Sequence, residues 1–207
     1  MHMTSISIIG RGKMGSAIAN IAARAGASVQ IVNRSAKPAK DLPDATYAAL
    51  GDDLTGDLVV FAIPYGAYPN ILKHYRDRLG GKVVIDIANT IDFATYEQPE
   101  ALLGSSTALE LAKQLPADVA VLKAFNANLA DTLMTRTNGT TATTVLFAGD
   151  DAEGKIALAE LLKAAGLRAI DAGPLQRSRQ LEAIGFLQMV LASSGKTRFE
   201  SGFTLLP

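Results

Sequence analysis

The chain has 207 residues, and its 20 Lys and Arg balance its 20 Asp and Glu. Cysteine is absent and there are two histidines, which excludes disulfides, thiolate metal sites, cysteine nucleophiles and multi-histidine metal centres. The zero net charge argues against a nucleic-acid-binding surface. The longest apolar run, Leu58 to Ile63, is far shorter than the roughly 20 residues that a membrane span requires.

The apolar bias of the chain favours a sheet that is covered on both faces. Charged residues make up 19% of the sequence, below the roughly 25% that is usual for soluble domains. Strands that are buried on both sides produce such a bias. Because the N-terminus enters a strand-like run without a leader pattern, we expect a cytoplasmic protein. From the composition given above, we also expect no membrane partner, no nucleic-acid partner and no bound metal.

Strand patterns alternate with helical patterns along the chain. The predicted strands are residues 5–9, 28–32, 57–63, 82–87, 119–124, 144–148 and 167–171. The predicted helices are residues 13–25, 66–79, 107–115, 151–165 and 174–192. This alternation predicts an α/β fold of the Rossmann type, with a doubly wound, mainly parallel sheet and helices on both faces.

Local signals mark several boundaries of these elements. Asp150 and Thr107 each begin a capping-box pattern, and Gly166 predicts a helix stop. Residues 92–105 show no clear periodicity. We expect them to form a long loop, either over an active site or as an ordinary surface connection.

A glycine motif follows the first predicted strand and opens the first predicted helix. Gly10 permits the tight turn, Gly12 leaves room for a pyrophosphate, and Gly15 lets the helix pack against the strand. The helix N-terminus offers unpaired N–H groups to phosphates. Because the strand, the motif and the helix come in the right order, we predict dinucleotide binding rather than a bare tight turn. The predicted cofactor-binding residues here are Gly10, Arg11, Gly12, Lys13, Met14 and Gly15.

The end of the second predicted strand indicates which dinucleotide binds. Folds that bind NAD place an Asp or Glu there for the ribose 2′-hydroxyl. Here Asn33, Arg34 and Ser35 follow the strand, with Lys37 beyond, and no acid stands there to repel a 2′-phosphate. The pattern therefore predicts NADP(H), with the alternative that Arg34 is a solvated loop residue.

The carboxyl ends of the next strands complete the predicted site, since ligands of open parallel sheets bind at that edge. Ala62, Ile63 and Pro64 are predicted to border the nicotinamide side of the cofactor, and Asn89 lies at the same edge. The alternative for the proline is that it only marks a strand end.

Candidates for acid–base catalysis are scarce. His2 is terminal, His74 falls within a solvated helix, and Lys123 is either a proton donor or part of a structural ion pair. Hydride transfer between flat heterocycles depends more on stacking geometry than on acid–base groups. We therefore assign no catalytic residue from the sequence.

Several segments, in one order, resemble a known family. They are GRGKMGSAIA, NRS, VVFAIP, VVIDIANTIDF, TALELAKQLP, VAVLKAFN and FAGDD. Over nearly the whole chain they resemble the NADPH-dependent reductases of coenzyme F420, which are NADP oxidoreductases that act on a deazaflavin. The same module resembles the cytosolic domain of membrane metalloreductases that pass electrons from NADPH through flavin.

The resemblance implies a single Rossmann-like domain over residues 1–207, with a dinucleotide-binding core at 1–125 and a C-terminal extension at 126–207. It also implies a homodimer, NADPH over the glycine loop, and F420 or a flavin stacked beside the nicotinamide. The residues that it places beside this acceptor are Ala124, Phe125 and Asn126.

Three functions stay open at this point. The first is hydride transfer between NADPH and a deazaflavin or flavin-like acceptor. The second is an imine or hydroxyacid reductase. The glycine loop of this chain, with Lys13-Met14 after Gly12, resembles the loop of those enzymes more closely than the loop of the deazaflavin enzymes. The imine and hydroxyacid reductases append a long helical domain, whereas here one long helix follows the last strand. The third is a non-catalytic sensor that binds NADPH.

Overall fold

The computed structural model describes residues 4–38, 40, 42–89, 91, 95, 97 and 104–205. The strands are β1 Ser5–Ile9, β2 Ser28–Asn33, β3 Thr46–Ala49, β4 Leu58–Phe61, β5 Val83–Asp86, β6 Ala120–Ala124, β7 Thr137–Asn138, β8 Thr141–Ala142, β9 Thr144–Gly149 and β10 Arg168–Asp171. The helices are α1 Lys13–Arg24, α2 Tyr68–Tyr75, α3 Thr107–Ala112, α4 Ala130–Thr135, α5 Ala152–Ala164 and α6 Ser178–Ser193.

Eight strands form one sheet in the order β10-β9-β6-β5-β4-β1-β2-β3. The six strands from β6 to β3 in this order are parallel to one another. Strand β9 pairs antiparallel with β6 and parallel with β10. The predicted fold class, a Rossmann-like and mainly parallel α/β sheet, is confirmed. The order reverses direction at β1, which brings the ends of β1 and β4 to the crevice where such folds bind ligands.

Both faces of the sheet are covered by helices, as the apolar composition predicts. Ile6 and Ile8 of β1 belong to the core layer under α1, α4 and α5. Ile9 of the same strand belongs to the opposite layer, under α2 and α3. This alternation follows from the two-residue period of a strand. The helices therefore cover the two faces of the sheet and leave its carboxyl edge available for a binding site.

Four short elements are present that the sequence analysis did not predict. They are β3, α4 and the hairpin of β7 and β8. Strand β3 is a four-residue edge strand, and α4 has six residues with no side-chain cap, so neither leaves a periodic signal. The predicted helix 66–79 consists instead of α2 flanked by two 3₁₀ turns, Tyr65–Ala67 and Arg76–Arg78.

Two helix caps lie one residue from their predicted positions. Asp151 caps α5 by accepting a hydrogen bond of 2.6 Å from Gly154 N, and Ser106 caps α3 by accepting one of 3.1 Å from Leu109 N. The predicted caps have other partners: Asp150 accepts from Leu175 N at 3.1 Å, and Thr107 joins a buried polar cluster described below. The predicted stop at Gly166 is confirmed by its φ of +84°.

Most of the predicted loop at 92–105, and His2, lie outside the described residues. Within the part of the chain that the structure describes, no helix is long and apolar enough to cross a membrane. The same residues contain no group of three acidic or histidine side chains that could hold a metal ion.

Candidate functional site

A cavity of about 640 Å³ lies at the carboxyl ends of β1, β4, β5 and β6. This volume falls in the range of sites for small molecules. The cavity is lined by residues from four sequence-predicted segments, together with residues of α4 and α6. The predicted residues that line it are Gly12, Lys13, Met14, Ala62, Ile63, Pro64, Asn89 and Asn126.

Other predicted residues lie beside the cavity rather than on it. Ala124 and Phe125 are buried in the core, with relative exposures of 0% and 1%, and sit behind the lining. Phe125 has a φ of +61°. This left-handed turn at the end of β6 redirects the chain, so the next residue, Asn126, lines the cavity.

The glycine loop has the geometry that the sequence motif requires. Gly10 has a φ of +105°, and an added Cβ there would overlap the carbonyl of Ala62. A Cβ on Gly15 would overlap the carbonyl of Gly10, so the start of α1 packs directly on the turn. These two glycines allow β1, α1 and β4 to approach closely.

Gly12 differs from the other two glycines because it is exposed and has open space around it. Nothing lies within 4 Å of a Cβ built on Gly12, whose φ of −79° any residue adopts. It is the N-cap of α1, without a side-chain cap. The N–H groups of the first turn therefore face outward at the cavity mouth, where they can bind an anion.

The segment after β2 lies at the same edge of the sheet. Asn33 Oδ1 accepts a hydrogen bond of 2.9 Å from Arg34 N, which shapes the turn. Arg11 Nη1 donates to Lys37 O at 3.0 Å and so ties the glycine loop to this segment. Arg34, Ser35 and Lys37 are exposed.

Arg11, Arg34 and Lys37 form a basic patch at this edge. Within the described residues none of the three is in an ion pair. Their charges are therefore available to an anionic group, and a guanidinium fork suits the oxygens of a phosphate.

Two asparagines join the ends of β5 and β6 to α6. Asn126 Nδ2 donates to Asn89 Oδ1 at 2.9 Å and to Leu181 O at 2.8 Å, while Asn89 Nδ2 donates to Asn126 O at 3.0 Å. A Cβ on Gly185 would lie 2.5 Å from Asn126 O. Helix α6 therefore packs tightly against the strand ends and forms one wall of the cavity.

Two buried amide oxygens of the lining have no hydrogen-bond partner among the residues that the structure describes. They are Oδ1 of Asn126 and Oδ1 of Asn128. The amide of Asn128 is oriented by its Nδ2, which donates to Thr144 O at 2.9 Å. Unpaired buried acceptors are uncommon in native proteins. They suit a ligand that offers N–H donors, such as a carboxamide.

A buried ionic cluster lies behind the cavity wall. Lys123 Nζ is 3.0 Å from Asp86 Oδ2 and 2.7 Å from Glu182 Oε1. The three residues are 0%, 0% and 1% exposed. Of the two roles that the sequence left open for Lys123, the structure supports the ion pair, because Lys123 does not line the cavity.

Hydroxyl and backbone groups complete this cluster. Tyr68 donates to Asp86 Oδ1, and Thr107 Oγ1 lies 2.6 Å from Asp86 Oδ2 and 2.8 Å from Glu182 Oε1. Thr107 N donates to Glu182 Oε1 at 2.9 Å. The cluster therefore connects α2, β5, α3, β6 and α6 through polar contacts.

Ionisation in and near the cluster is shifted by its burial. Burial raises the pKa of Glu182, and Asp86 raises it further, against the lowering effect of Lys123. Burial and Asp86 raise the pKa of Tyr68 well above its ordinary value. The pKa of Tyr65, which lines the cavity, is raised by burial and then by Glu110, Asp86 and Glu182.

Sequence reasoning missed the contribution of α4 and α6 to the cavity. Gly185, Gln188 and Met189 of α6 line it, as does Asp131 of α4. From the sequence, α6 was predicted only as a helix at residues 174–192, and no site residue was assigned to it. A glycine and a glutamine spaced three residues apart within this helix are the signal that could have indicated a side of the helix that faces the cavity.

Comparison with known proteins relates the chain to a family. Residues 5–90 match the family described as NADP oxidoreductase, coenzyme F420-dependent. An F420-dependent NADP reductase of Methanocaldococcus jannaschii is 29% identical over 132 residues, covering 62% of this chain and 59% of that protein. Metalloreductase STEAP3 of Rattus norvegicus is 27% identical over 181 residues, covering 86% of this chain and 36% of that protein.

A solved structure extends the similarity to the full fold. It is from Arthrobacter sp. FB24, and its description assigns it to the F420-dependent NADP reductases. It superposes with a TM-score of 0.82 at 25% identity, covering 98% of this chain and 99% of that one. The chain spans less than two thirds of the length of either curated relative.

Replacement of Gly12 tests the glycine loop. We expect Gly12→Val to abolish dinucleotide binding while the fold is kept, because the open space around Gly12 accommodates the side chain but the pyrophosphate needs that space. Calorimetric titration with NADPH and a thermal melt are the measurements. Ala152→Val, which adds the same side chain at the exposed first residue of α5, is the control. A Gly12→Val protein that melts normally and binds NADPH at wild-type strength contradicts the placement.

The raised pKa of Glu182 predicts a specific pH dependence of stability. A carboxyl whose pKa is higher in the folded chain contributes stability that is full below its ordinary pKa of 4.5 and is lost as the pH rises through the folded value. Glu182→Gln cannot lose a proton. The free energy of unfolding of the variant, relative to wild type, should therefore rise with pH across this window.

Urea denaturation at a series of pH values measures this difference. Glu160→Gln, which neutralises an exposed carboxyl on α5, is the matched control and should show a smaller trend. A difference between Glu182→Gln and wild type that does not change with pH contradicts the assignment.

Proposed function

We propose that the chain transfers a hydride between NADPH and a deazaflavin or flavin-like acceptor, because residues 5–90 match the family of coenzyme F420-dependent NADP oxidoreductases. The observation that carries this proposal is the cavity, which extends from the glycine loop to the ends of β5 and β6. Its wall includes apolar side chains such as Met14, Ile63 and Met189. A continuous, mainly apolar cavity can hold two flat rings in contact.

The residues present fit an NADP cofactor. The uncapped N-terminus of α1 at Gly12 would hold the pyrophosphate. The basic patch, with Ser35 beside it, would hold the 2′-phosphate of the adenosine ribose. The unpaired Oδ1 atoms of Asn126 and Asn128 fit N–H donors at the ring end of the cavity. The bound nucleotide would supply the hydride, and the chain would supply position and exclusion of water.

The titratable lining residues among those described are Lys13, Tyr65 and Asp131. Tyr65 has a raised pKa and so keeps its proton through neutral pH. It is the group that an imine or hydroxyacid reductase would use as a proton donor. A flavin-like ring delocalises the charge that it receives, so the proposed reaction does not need this donor.

Other sequence-based expectations complete the proposal. We expect residues 1–207 to act as one domain, with the C-terminal extension supplying α6 as the acceptor-side wall. A homodimer and a cytoplasmic location stay predictions.

An acceptor panel tests the proposed function. Purified protein is mixed with NADPH and, separately, F420, FMN, FAD and a cyclic imine, and the nicotinamide absorbance is followed. We expect oxidation with a deazaflavin or flavin and none with the imine. Turnover with the imine alone would support the imine reductase instead, and tight NADPH binding without any turnover would support the sensor.

Replacement of Arg34 tests the cofactor preference. A charge-assisted contact to the 2′-phosphate is lost in Arg34→Ala, so the Kd for NADPH should rise about ten- to a hundredfold while the Kd for NADH barely changes. Titration with both nucleotides measures this. Arg24→Ala, at the far end of α1, is the matched control. An equal loss for both nucleotides would show that Arg34 does not contact the phosphate.

Replacement of Tyr65 tests whether a proton donor is needed. We expect Tyr65→Phe to lower the single-turnover rate less than tenfold, well under the roughly 10²–10⁴-fold contribution of a positioned acid. The measurement uses an acceptor confirmed by the panel, and NADPH affinity is the control. A hundredfold fall with NADPH binding intact would show that the transfer needs Tyr65 as a proton donor.

A further inference from the structure

The buried ionic cluster has a charge imbalance that the fold alone does not require. We propose that Asp86, Glu182 and Lys123 together hold a net negative charge behind the cavity wall, which favours the oxidised, positively charged nicotinamide over the reduced one. This inference rests on the proposed function, because it assumes that the nicotinamide binds in the cavity.

The charge count comes directly from the contacts. One ammonium faces two carboxylates, at 3.0 Å and 2.7 Å, which leaves a net charge of −1 when all three groups are ionised. The remaining side-chain partners, Tyr68 and Thr107, are neutral hydroxyls. No second cation pairs with either carboxylate within the described residues. An uncompensated buried charge is costly, so a nearby positive charge on a ligand would be stabilised by it.

The cluster reaches the cavity through one residue. Ala88 N donates to Asp86 Oδ1 at 2.9 Å, and Ala88 O accepts from Lys123 Nζ. Ala88 itself lines the cavity. A single peptide segment therefore separates the charged groups from the space in which the ring would lie.

The effect of the two carboxylates already extends to a cavity side chain. Burial and Glu110 raise the pKa of Tyr65 most, and the charges of Asp86 and Glu182 raise it further. The same field disfavours a negative phenolate and favours a positive ring. Stabilisation of this kind, by charges fixed before the reaction, is effective where water is excluded.

The proposed reaction produces a positive charge at this place. Hydride transfer breaks a C–H bond of the reduced nicotinamide and forms a bond from hydrogen to the acceptor ring, with both electrons moving to the acceptor. The nicotinamide is left with one positive charge, and the reduced acceptor takes its proton from solvent. A unit charge about 8 to 12 Å away, at an effective dielectric constant of about 20 to 40, changes the equilibrium by roughly three- to thirtyfold.

The affinity ratio of NADP⁺ to NADPH tests this inference without any acceptor. Both dissociation constants are measured for wild type, Glu182→Gln, Asp86→Asn and Lys123→Met at a pH above the titration of Glu182. Removing a carboxylate should lower the preference for NADP⁺ by about three- to thirtyfold, and removing the ammonium should raise it. Asp171→Asn is the control, because it also neutralises one carboxylate of an ion pair. Asp171 lies on β10, is partly exposed and pairs with Lys155.

The preference for NADP⁺ should change in opposite directions in the carboxylate variants and in Lys123→Met, and this difference distinguishes an electrostatic role of the cluster from a structural one. Damage to the cavity wall would weaken both nucleotides in all three variants, with no reversal between Lys123→Met and the carboxylate variants. An unchanged ratio, or shifts in one direction only, overturns the inference. If Lys123→Met does not fold, the wild-type preference for NADP⁺ must instead increase with pH as Glu182 loses its proton, and this increase must be absent in Glu182→Gln.

The groups that face Glu182 are Lys123 from β6, Thr107 from α3 and Asp86 from β5, with Tyr68 of α2 behind Asp86.

The affinity ratio and the acceptor panel test two separate claims, so either claim can be refuted without the other. An unmoved ratio with acceptor reduction refutes the charge effect alone. Shifted ratios without reduction of any acceptor refute hydride transfer alone, and absence of nucleotide binding refutes both.

Discussion

The arrangement of the site depends on the ion pairs that the ammonium of Lys123 makes. It joins β6 to Asp86 of β5 and to Glu182 of α6, and it also binds the carbonyl of Ala88. Removing one partner from a buried ion pair leaves an uncompensated charge. Lys123 therefore constrains β5, β6 and α6 at once, and the cavity is lined by the segments that follow β5 and β6 and by α6.

The geometry of the cavity follows from this constraint and from the glycine loop. On one side, close packing at Gly10 and Gly15 sets the position of α1 against β4. On the other side, Asn126 connects Asn89 and α6 one layer above the ionic cluster. Between these two fixed walls lies a space suited to flat rings. Rigid walls are the main requirement for a reaction that depends on ring-to-ring distance.

The sequence predicts where a nucleotide would bind because the signals for such a site are local. Gly10 to Gly15 and Asn33 to Lys37 each occupy one short segment, and their spacing has direct meaning for phosphate binding. The central strands were predictable for the same reason, since each is a short apolar run. The end of β6 was predictable as a location, but the turn at Phe125 that places Asn126 on the lining was not.

The acceptor half of the site depends on contacts between distant residues. Asp86 and Lys123 are 37 positions apart, and no pattern in the sequence indicates that they meet Glu182. The lining residues Gly185 and Gln188 follow from how α6 docks against the segments after β5 and β6, which is a tertiary contact. Short elements were also missed, because the six residues of α4 hold less than two periods of a helix and the four residues of β3 hold only two periods of a strand.

The central claim is direct hydride transfer from NADPH to a ring in the cavity. The most direct measurement uses NADPH that carries deuterium at either face of its nicotinamide C4, with a deazaflavin as acceptor and mass analysis of the reduced product. The account predicts that deuterium from one face only is retained on the carbon of the deazaflavin ring that accepts the hydride. Deuterium released to water, or a reduced acceptor without label from either face, would contradict it.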